Sequence, residues 1–216
     1  GVDFRAYKNM VGAFYMPKLV YMNCFALNSL SERLFASGLG EIIKHGLICD
    51  KEYYTWLLEH SAEILSRDND TLEQMIYQSC LIKKAVVEKD PTEKGERALL
   101  NFGHTLGHAI ENLMNFSLYH GECVVLGIIA ALNISKKRGL ITEQQLNDAM
   151  LMFQNYNFPL TVTGISAQDV VSVSKNDKKM VSDKIKFILL DGIGTAFIDM
   201  TVTDEELIEA LSFVIQ

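Results

Sequence analysis

The sequence has few cysteines, and no two of them are close together. Cys24, Cys49, Cys80 and Cys123 are widely separated, and none belongs to a CxxC pair. A disulfide framework or a zinc finger requires cysteines at short, regular spacings. The pattern therefore indicates free, buried thiols in a reducing cytoplasm.

The sequence also lacks basic charge and long apolar runs. Its 20 Lys and Arg against 27 Asp and Glu give a formal net charge of −7, which argues against nucleic acid as a partner. The longest apolar run, near residues 124–132, is too short to span a bilayer. With 216 residues, 49% of them hydrophobic and no internal repeat, the chain has enough core to fold without disulfides.

The first 28 residues contain strand-like runs without a complete sheet. Residues 8–14 and 19–22 are rich in β-prone side chains, but too few neighbouring strands follow to form a sheet. We expect residues preceding Gly1 to carry the rest of that sheet. On this interpretation residues 1–28 are a strand segment of another unit, and residues 29–216 form a helical domain.

From residue 29 onward the pattern is mainly helical. A capping box at residues 29–32 and capping residues at Asp50, Asp70, Thr142 and Thr203 predict helix starts. The predicted helices cover residues 33–48, 50–66, 70–88, 97–115, 123–138, 142–157 and 203–215, with a short helix from residue 166. Two β-like runs, 186–190 and 195–200, flank an Asp-Gly pair and predict a hairpin. The expected fold is mainly α, with short strands near the N-terminus and a C-terminal β-hairpin.

The strongest chemical signal lies between residues 97 and 111. On a helix at about 100° per residue, one narrow stripe holds Arg97, Asn101, His104, His108 and Glu111. The alternative is an amphipathic helix whose polar face meets water. Two histidines one turn apart, however, can serve one metal or one substrate. A third histidine, His120, opens the most apolar predicted helix and favours a site.

A second polar group lies in the predicted helix 33–48. Glu41 and Lys44 are three residues apart and share a face among apolar neighbours, although a surface ion pair is the alternative. Gly38 and Gly40 each cost a helix about 1 kcal/mol relative to Ala, so we expect something to approach closely there. Lys83 is beside Lys84, and a solvated basic patch is the ordinary explanation of this pair.

Four segments of the chain together resemble 3-dehydroquinate synthases. They are residues 8–14 (KNMVGAF), 37–46 (SGLGEIIKHG), 97–111 (RALLNFGHTLGHAIE) and 120–122 (HGE), which follow that family's order and spacing. The resemblance extends from residue 1 to about residue 194. It implies the C-terminal helical domain of a two-domain α/β enzyme, without the Rossmann-like N-terminal domain that carries the glycine-rich NAD site. Residues 1–28 would then belong to that domain's sheet.

The resemblance also implies roles for individual residues. The three ligands of a catalytic zinc correspond to Glu41, His104 and His120. Residues that bind the substrate's carboxylate, hydroxyls and phosphate correspond to Lys44, Lys83, Arg97, Asn101 and His108, with one of Lys178 and Lys179. The NAD contacts of this half correspond to Lys8, Ala26, Leu27, Asn28 and Ser29. Three ligands and an open position are typical of catalytic zinc, and Co²⁺ or Mn²⁺ would also suit these donors.

The family converts 3-deoxy-D-arabino-heptulosonate 7-phosphate (DAHP) into 3-dehydroquinate and phosphate, in the shikimate pathway that leads to chorismate and the aromatic amino acids. The resemblance implies a cytoplasmic lyase that uses NAD and a metal on a small sugar phosphate, with no nucleic-acid or membrane partner, and that is a homodimer at full length. Without the NAD-binding domain, the 216 residues alone are expected to be inactive. The alternatives are a sibling sugar-phosphate cyclase such as 2-deoxy-scyllo-inosose synthase, a metal-dependent polyol dehydrogenase relative, and a non-enzymatic helical scaffold or dimerisation module.

Overall fold

A computed structural model describes residues 2–4, 7–13, 15, 17–91, 95–176, 180–181 and 184–216. Two short strands come first, β1 (Val2–Phe4) and β2 (Tyr7–Val11), and they pair antiparallel with Val2 opposite Val11. Residues 19–22, for which the sequence predicts a strand, form none. A β-prone run is ordered as a strand only where a neighbouring strand takes up its hydrogen bonds.

The rest of the described chain is mainly helical, as predicted. The helices are α1 (Glu32–Cys49), α2 (Lys51–Glu59), α3 (Ser61–Leu65), α4 (Asn69–Lys89), α5 (His104–Leu113), α6 (His120–Lys137), α7 (Glu143–Asn155), α8 (Ala167–Asn176) and α9 (Asp204–Leu211). Two segments, Cys24–Ser29 and Glu96–Asn101, are 3₁₀-helices. Within the described ranges, none of the helices has the length and apolar content needed to cross a membrane.

The helix caps test the sequence prediction residue by residue. Asp50, Thr142 and Thr203 each accept a backbone N–H of the following first turn, as predicted. The first long helix is instead capped by Ser31, because Ser29 lies inside the preceding 3₁₀-helix. Likewise α4 begins earlier than predicted, with Asp68 as its cap.

Two further predictions are corrected within the described chain. The single helix expected over residues 50–66 is divided at His60 into α2 and α3. The four cysteines are all free, as predicted, but only Cys123 is buried, while Cys49 and Cys80 are exposed.

The predicted C-terminal hairpin is confirmed. Strands β3 (Met180–Val181) and β4 (Lys184–Ile185) form one antiparallel pair. Strands β5 (Phe187–Leu190) and β6 (Ala196–Asp199) form another, with Leu190 opposite Ala196. Gly194 turns back at a φ of 89°, and its N–H donates to the carbonyl of Leu47 at 2.8 Å. This bond attaches the hairpin to the end of α1.

The helix predicted over residues 97–115 is interrupted. The 3₁₀-helix Glu96–Asn101 ends at Phe102, and Gly103 adopts a left-handed φ of 77° before α5 begins at His104. A Cβ on Gly103 would lie 2.6 Å from the carbonyl oxygen of Val124 in α6, so only glycine fits this position. Arg97 and Asn101 therefore do not share one α-helical face with the histidines, and the stripe interpretation is wrong for these two residues.

Helix α6 is buried along most of its length and lies against the backbones of α1 and α5. A Cβ on Gly121 would overlap the backbone of Ser37 in α1, and one on Gly127 would lie 2.9 Å from the backbone nitrogen of Gly107 in α5. The close approach expected in α1 occurs at Gly40, which faces Gly121. It does not occur at Gly38, where a Cβ would have no described atom within 4 Å.

An arginine fixes the far end of α6. Arg138 donates from Nε and Nη2 to the two carboxylate oxygens of Glu206 in α9, at 2.8 and 2.6 Å. Its Nη1 donates to Asp199 in β6 at 3.0 Å. This bidentate pair, of the strong kind, joins the helix to the C-terminal elements.

The contact between α5 and α6 leads to a prediction about stability. Gly127→Ala should lower the free energy of unfolding by about 1–3 kcal/mol, because the added methyl group forces two helix backbones apart. The matched control is Gly38→Ala, also within a long helix, which should raise it by about 0.5–1 kcal/mol. Urea unfolding monitored by circular dichroism measures both values. Equal effects of the two substitutions would contradict the packing described above.

Candidate functional site

Three helices each contribute a metal-ligand type of side chain to one place. Glu41 lies in the middle of α1, while His104 and His120 are the first residues of α5 and α6. The ring centroids of His104 and His120 are 5.3 Å apart, and that of His108 lies 5.2 and 5.6 Å from them. One ring nitrogen from each of the three histidines lies within 4.8 Å of the others. The histidine pair predicted on one helix and the separate His120 thus converge.

Glu41 contributes to this cluster a carboxylate oxygen that lacks a hydrogen bond. Its Oε1 is buried, has no hydrogen-bond partner, and lies 3.4 Å from Nε2 of His104 and 3.9 Å from Nε2 of His120. A buried carboxylate oxygen without a partner is costly. In tetrahedral zinc sites, bonds of about 2.0–2.1 Å place neighbouring ligand atoms about 3.3 Å apart. The three side chains therefore fit a divalent metal.

Lys44 determines which oxygen of Glu41 faces the histidines. Its Nζ donates to Oε2 of Glu41 at 2.6 Å, and the lysine side chain is only 2% exposed. Burial by itself would raise the pKa of Glu41, but the Lys44 ammonium, together with the neighbouring imidazoles, holds it below its usual value. The carboxylate is therefore ionised, with Oε2 bound and Oε1 directed toward His104 and His120.

The histidine tautomers suit metal binding. Nδ1 of His104 lies 3.1 Å from the carbonyl of Phe102, which can only accept, so Nδ1 carries the proton and Nε2 a lone pair. Burial, reinforced by the charge of Lys44, lowers the pKa of His104 to about 3. His104 is therefore neutral at pH 7. Nδ1 of His120 similarly contacts Oε2 of Glu111 at 3.4 Å, the carboxylate contact common behind metal-bound histidines.

Other predicted site residues lie elsewhere or are not described. Lys83 is exposed on α4. Arg97 donates from Nη1 to the carbonyl of Pro91 at 2.8 Å, and Asn101 is half-buried at the end of its 3₁₀-helix. Residues Ala26, Leu27, Asn28 and Ser29 belong to the 3₁₀-helix Cys24–Ser29. Lys178, Lys179 and the side chain of Lys8 lie outside the described residues.

Sequence reasoning assigned no role to three residues that contact the histidine cluster or its supports. Glu111 is on the predicted stripe and could have been assigned from its spacing to His104. Glu122 is within the HGE motif, and its spacing of three from Tyr119 is that of a capping box. Arg33 carries no local signal, because its partner Glu122 is 89 residues away.

A family profile described as 3-dehydroquinate synthase C-terminal matches residues 38–180, and one described as 3-dehydroquinate synthase N-terminal matches residues 1–37. A 3-dehydroquinate synthase of Acetivibrio thermocellus is 42% identical over 209 residues, which cover 97% of this chain. The chain spans only 58% of that relative's length.

Solved structures with a similar fold include two sugar-phosphate cyclases. ValA, a 2-epi-5-epi-valiolone synthase from Streptomyces hygroscopicus subsp. jinggangensis 5008 with NAD⁺ and Zn²⁺ bound, has a TM-score of 0.89 at 24% identity, over 98% of this chain and 59% of that one. A 2-deoxy-scyllo-inosose synthase complexed with carbaglucose-6-phosphate, NAD⁺ and Co²⁺ has a TM-score of 0.81 at 24% identity, over 95% and 59%. At these identities the likeness shows the fold alone.

A fourth histidine, His45, is buried beside the site and is expected to make the stability of the chain depend on pH. Its Nδ1 lies 2.7 Å from Oγ of Ser79 in α4. Burial, with the charges of Lys44 and Lys83, lowers its pKa to about 4 from 6.5. The unfolded chain therefore binds a proton that the folded chain excludes, so stability is lost as the pH falls below 6.5.

With metal removed by chelator, wild type should lose about 2 kcal/mol more unfolding free energy between pH 7 and pH 5 than His45→Asn does. That figure corresponds to about 1.4 kcal/mol per pH unit below 6.5, and asparagine keeps an acceptor or donor near Ser79. Urea unfolding at the two pH values measures the difference. Parallel pH profiles for the two proteins would show that His45 titrates normally in the folded chain.

Proposed function

Because the chain belongs to the 3-dehydroquinate synthase family, we propose that it is the metal- and substrate-binding part of an enzyme that converts DAHP into 3-dehydroquinate and phosphate. The observation that carries the proposal is the buried Oε1 of Glu41, which lacks a hydrogen bond and faces Nε2 of two histidines. The chain covers 58% of its relative's length, so the activity is proposed for a longer protein that contains it.

We assign the metal to Glu41, His104 and His120. A second possible set is the three histidines alone, whose ring nitrogens lie within 4.8 Å of one another. The set with Glu41 is favoured because a metal would provide the partner that its buried oxygen lacks and would be partly neutralised by the carboxylate. Zn²⁺ suits these donors and Co²⁺ is acceptable; bound there, such an ion supplies a Lewis acid for the substrate's oxygens.

His108 then has a different task from its neighbour His104. It lies one turn further along α5 and edge-on to the His104 ring, at 5.2 Å. We propose that it holds a substrate hydroxyl and takes or returns its proton. Lys44, whose ammonium is buried against Glu41, adds positive charge next to the anionic substrate.

The remaining cations are proposed to bind the substrate's phosphate and carboxylate. Arg97 donates to the carbonyl of Pro91 in this structure, and an anionic oxygen forms a stronger bond with a guanidinium than a neutral carbonyl does. The substrate phosphate would therefore replace Pro91 as its acceptor. This proposed group also includes Lys83, one of Lys178 and Lys179, and the uncharged Asn101.

NAD, which supplies the hydride acceptor, is proposed to be held mainly by a domain outside this chain. Lys8 and residues 26–29 would add contacts from this side. Residues 1–28 would belong to that domain; support comes from the N-terminal family profile, which matches residues 1–37. The homodimer expected for the full-length enzyme stays a prediction. The sibling cyclases are not favoured, since 42% identity to a 3-dehydroquinate synthase exceeds 24% to either of them.

The metal assignment predicts that Glu41→Ala, His104→Ala and His120→Ala each weaken Zn²⁺ binding by well over tenfold, because each removes one of three ligands. Competition with a chromophoric chelator measures the affinity. His60→Ala is the control, because His60 stacks on Trp56 and is no part of the cluster. An unchanged affinity in any one of the three variants would remove that residue from the site. His108→Ala, if it weakened binding as much, would favour the all-histidine set.

The functional assignment predicts NAD-dependent phosphate release from DAHP when the chain is fused behind the N-terminal part of the Acetivibrio thermocellus relative. The chain alone should release almost none, because the hydride acceptor would lack most of its binding site. A coupled phosphate assay distinguishes the two proteins, and chelator should abolish the activity of the fusion. A fusion that binds zinc but turns over only a hexose phosphate would assign the chain to a sibling cyclase.

A further inference from the structure

We propose that Arg33 is a positioning residue for the metal ligand His120, and that it acts through the carboxylate of Glu122. The inference rests on the proposed metal site. Arg33 is on α1, the helix that carries Glu41, while Glu122 is two residues after His120 on α6. The pair therefore connects the helices of two of the three proposed ligands.

The contact between Arg33 and Glu122 is bidentate. Nε of Arg33 donates to Oε1 of Glu122 at 2.6 Å, and Nη2 donates to Oε2 at 2.7 Å. The Glu122 side chain is only 6% exposed, whereas that of Arg33 is 53% exposed. The guanidinium also lies over the ring of Tyr119, 4.8 Å from its centroid. Two parallel charge-assisted hydrogen bonds fix orientation as well as distance.

The Glu122 carboxylate also caps the start of α6. His120 is the first helical residue, and Tyr119 at the cap position forms a capping box with Glu122. The Tyr119 N–H donates to Oε2 of Glu122 at 2.7 Å. Without Arg33, this carboxylate would be left nearly buried and without its cation, and an unsupported first turn frays.

Arg33 also holds the loop that leads into α6. Asn115 and Phe116 have left-handed φ values of 48° and 58°; asparagine tolerates this conformation, whereas it is unfavourable for phenylalanine. Nη2 of Arg33 also donates to the carbonyl of Ser117 at 3.2 Å. The same arginine thus holds both the end of this loop and the first turn of the helix.

Arg33 is one of two supports from α1. Directly after His120 in the chain, the N–H of Gly121 donates to Oγ of Ser37 at 3.1 Å. With Arg33 and Ser37 on the same helix as Glu41, α1 sets the distance between Oε1 of Glu41 and Nε2 of His120, which is 3.9 Å. Loss of Arg33 should let His120 move away from the carboxylate while His104, on α5, stays in place.

The test is the metal affinity of Arg33→Met, a substitution that keeps much of the length of the side chain and removes the guanidinium group. We expect the Kd for Zn²⁺ to rise about tenfold, the low end of the cost of losing a residue bonded directly to a ligand, because Arg33 acts on His120 through Glu122. The visible absorption spectrum of the Co²⁺-loaded chain should also change, because the geometry of the ligands around the ion changes. Arg138→Met is the matched control, since it removes a similar fork from the opposite end of α6; its Kd and Co²⁺ spectrum should equal those of wild type.

A double-mutant cycle separates positioning from general destabilisation. In the His120→Ala background, Arg33→Met should change the Kd less than twofold, because the residue on which it acts is gone. A tenfold loss in that background, or an affinity of Arg33→Met equal to wild type, would overturn the inference. If Arg33→Met fails to fold, Glu122→Gln takes its place in the same cycle. Wild type that binds neither Zn²⁺ nor Co²⁺ would instead refute the proposed metal site itself.

Discussion

The site depends on the contact between the backbone of α6 and the backbones of α1 and α5. Gly121 lies against Ser37, and Gly127 against Gly103 and Gly107, at distances that leave no room for a methyl group. Helices separated by ordinary side chains lie about 8–10 Å apart, and glycines at a crossing let the backbones approach more closely. Glycine at these few positions brings Glu41, His104 and His120 within reach of one another.

Electrostatics then decides the state of those side chains. The ammonium of Lys44 keeps Glu41 ionised and occupies one of its oxygens. The same positive charge, together with burial, keeps His104 unprotonated. A neutral imidazole and an ionised carboxylate are the forms that bind metal, so one buried cation prepares two ligands of different type. Its own burial is tolerable because Glu41 pairs with it, since a lone buried ammonium would be very costly.

Much of the fold and part of the site could be predicted from the sequence, and the failures have local causes. Periodicity and caps predicted most helices and the hairpin because these signals lie within a few residues of each other. The prediction of a stripe through Arg97 failed because helical periodicity assumes a continuous helix, whereas Gly103 has a left-handed φ and packs closely against α6. The residues of α6 that it contacts are more than 20 positions away, so no local pattern reveals the contact. The same holds for Arg33 and Glu122, which meet only after α1 and α6 have packed.

The direction of the helices supports the proposed binding of an anionic substrate at this site. His104 and His120 are the first residues of α5 and α6, so the amino ends of two helices meet there. Each carries about half a positive charge, which adds to the ammonium of Lys44. Glu41 and Glu111 balance part of this charge at the histidines. The positive charge of Lys44, which together with burial opposes protonation of His104, would also attract the negatively charged oxygens of the proposed substrate. The amino ends of these helices would thus support the proposed anionic substrate before any surface lysine or arginine contributes.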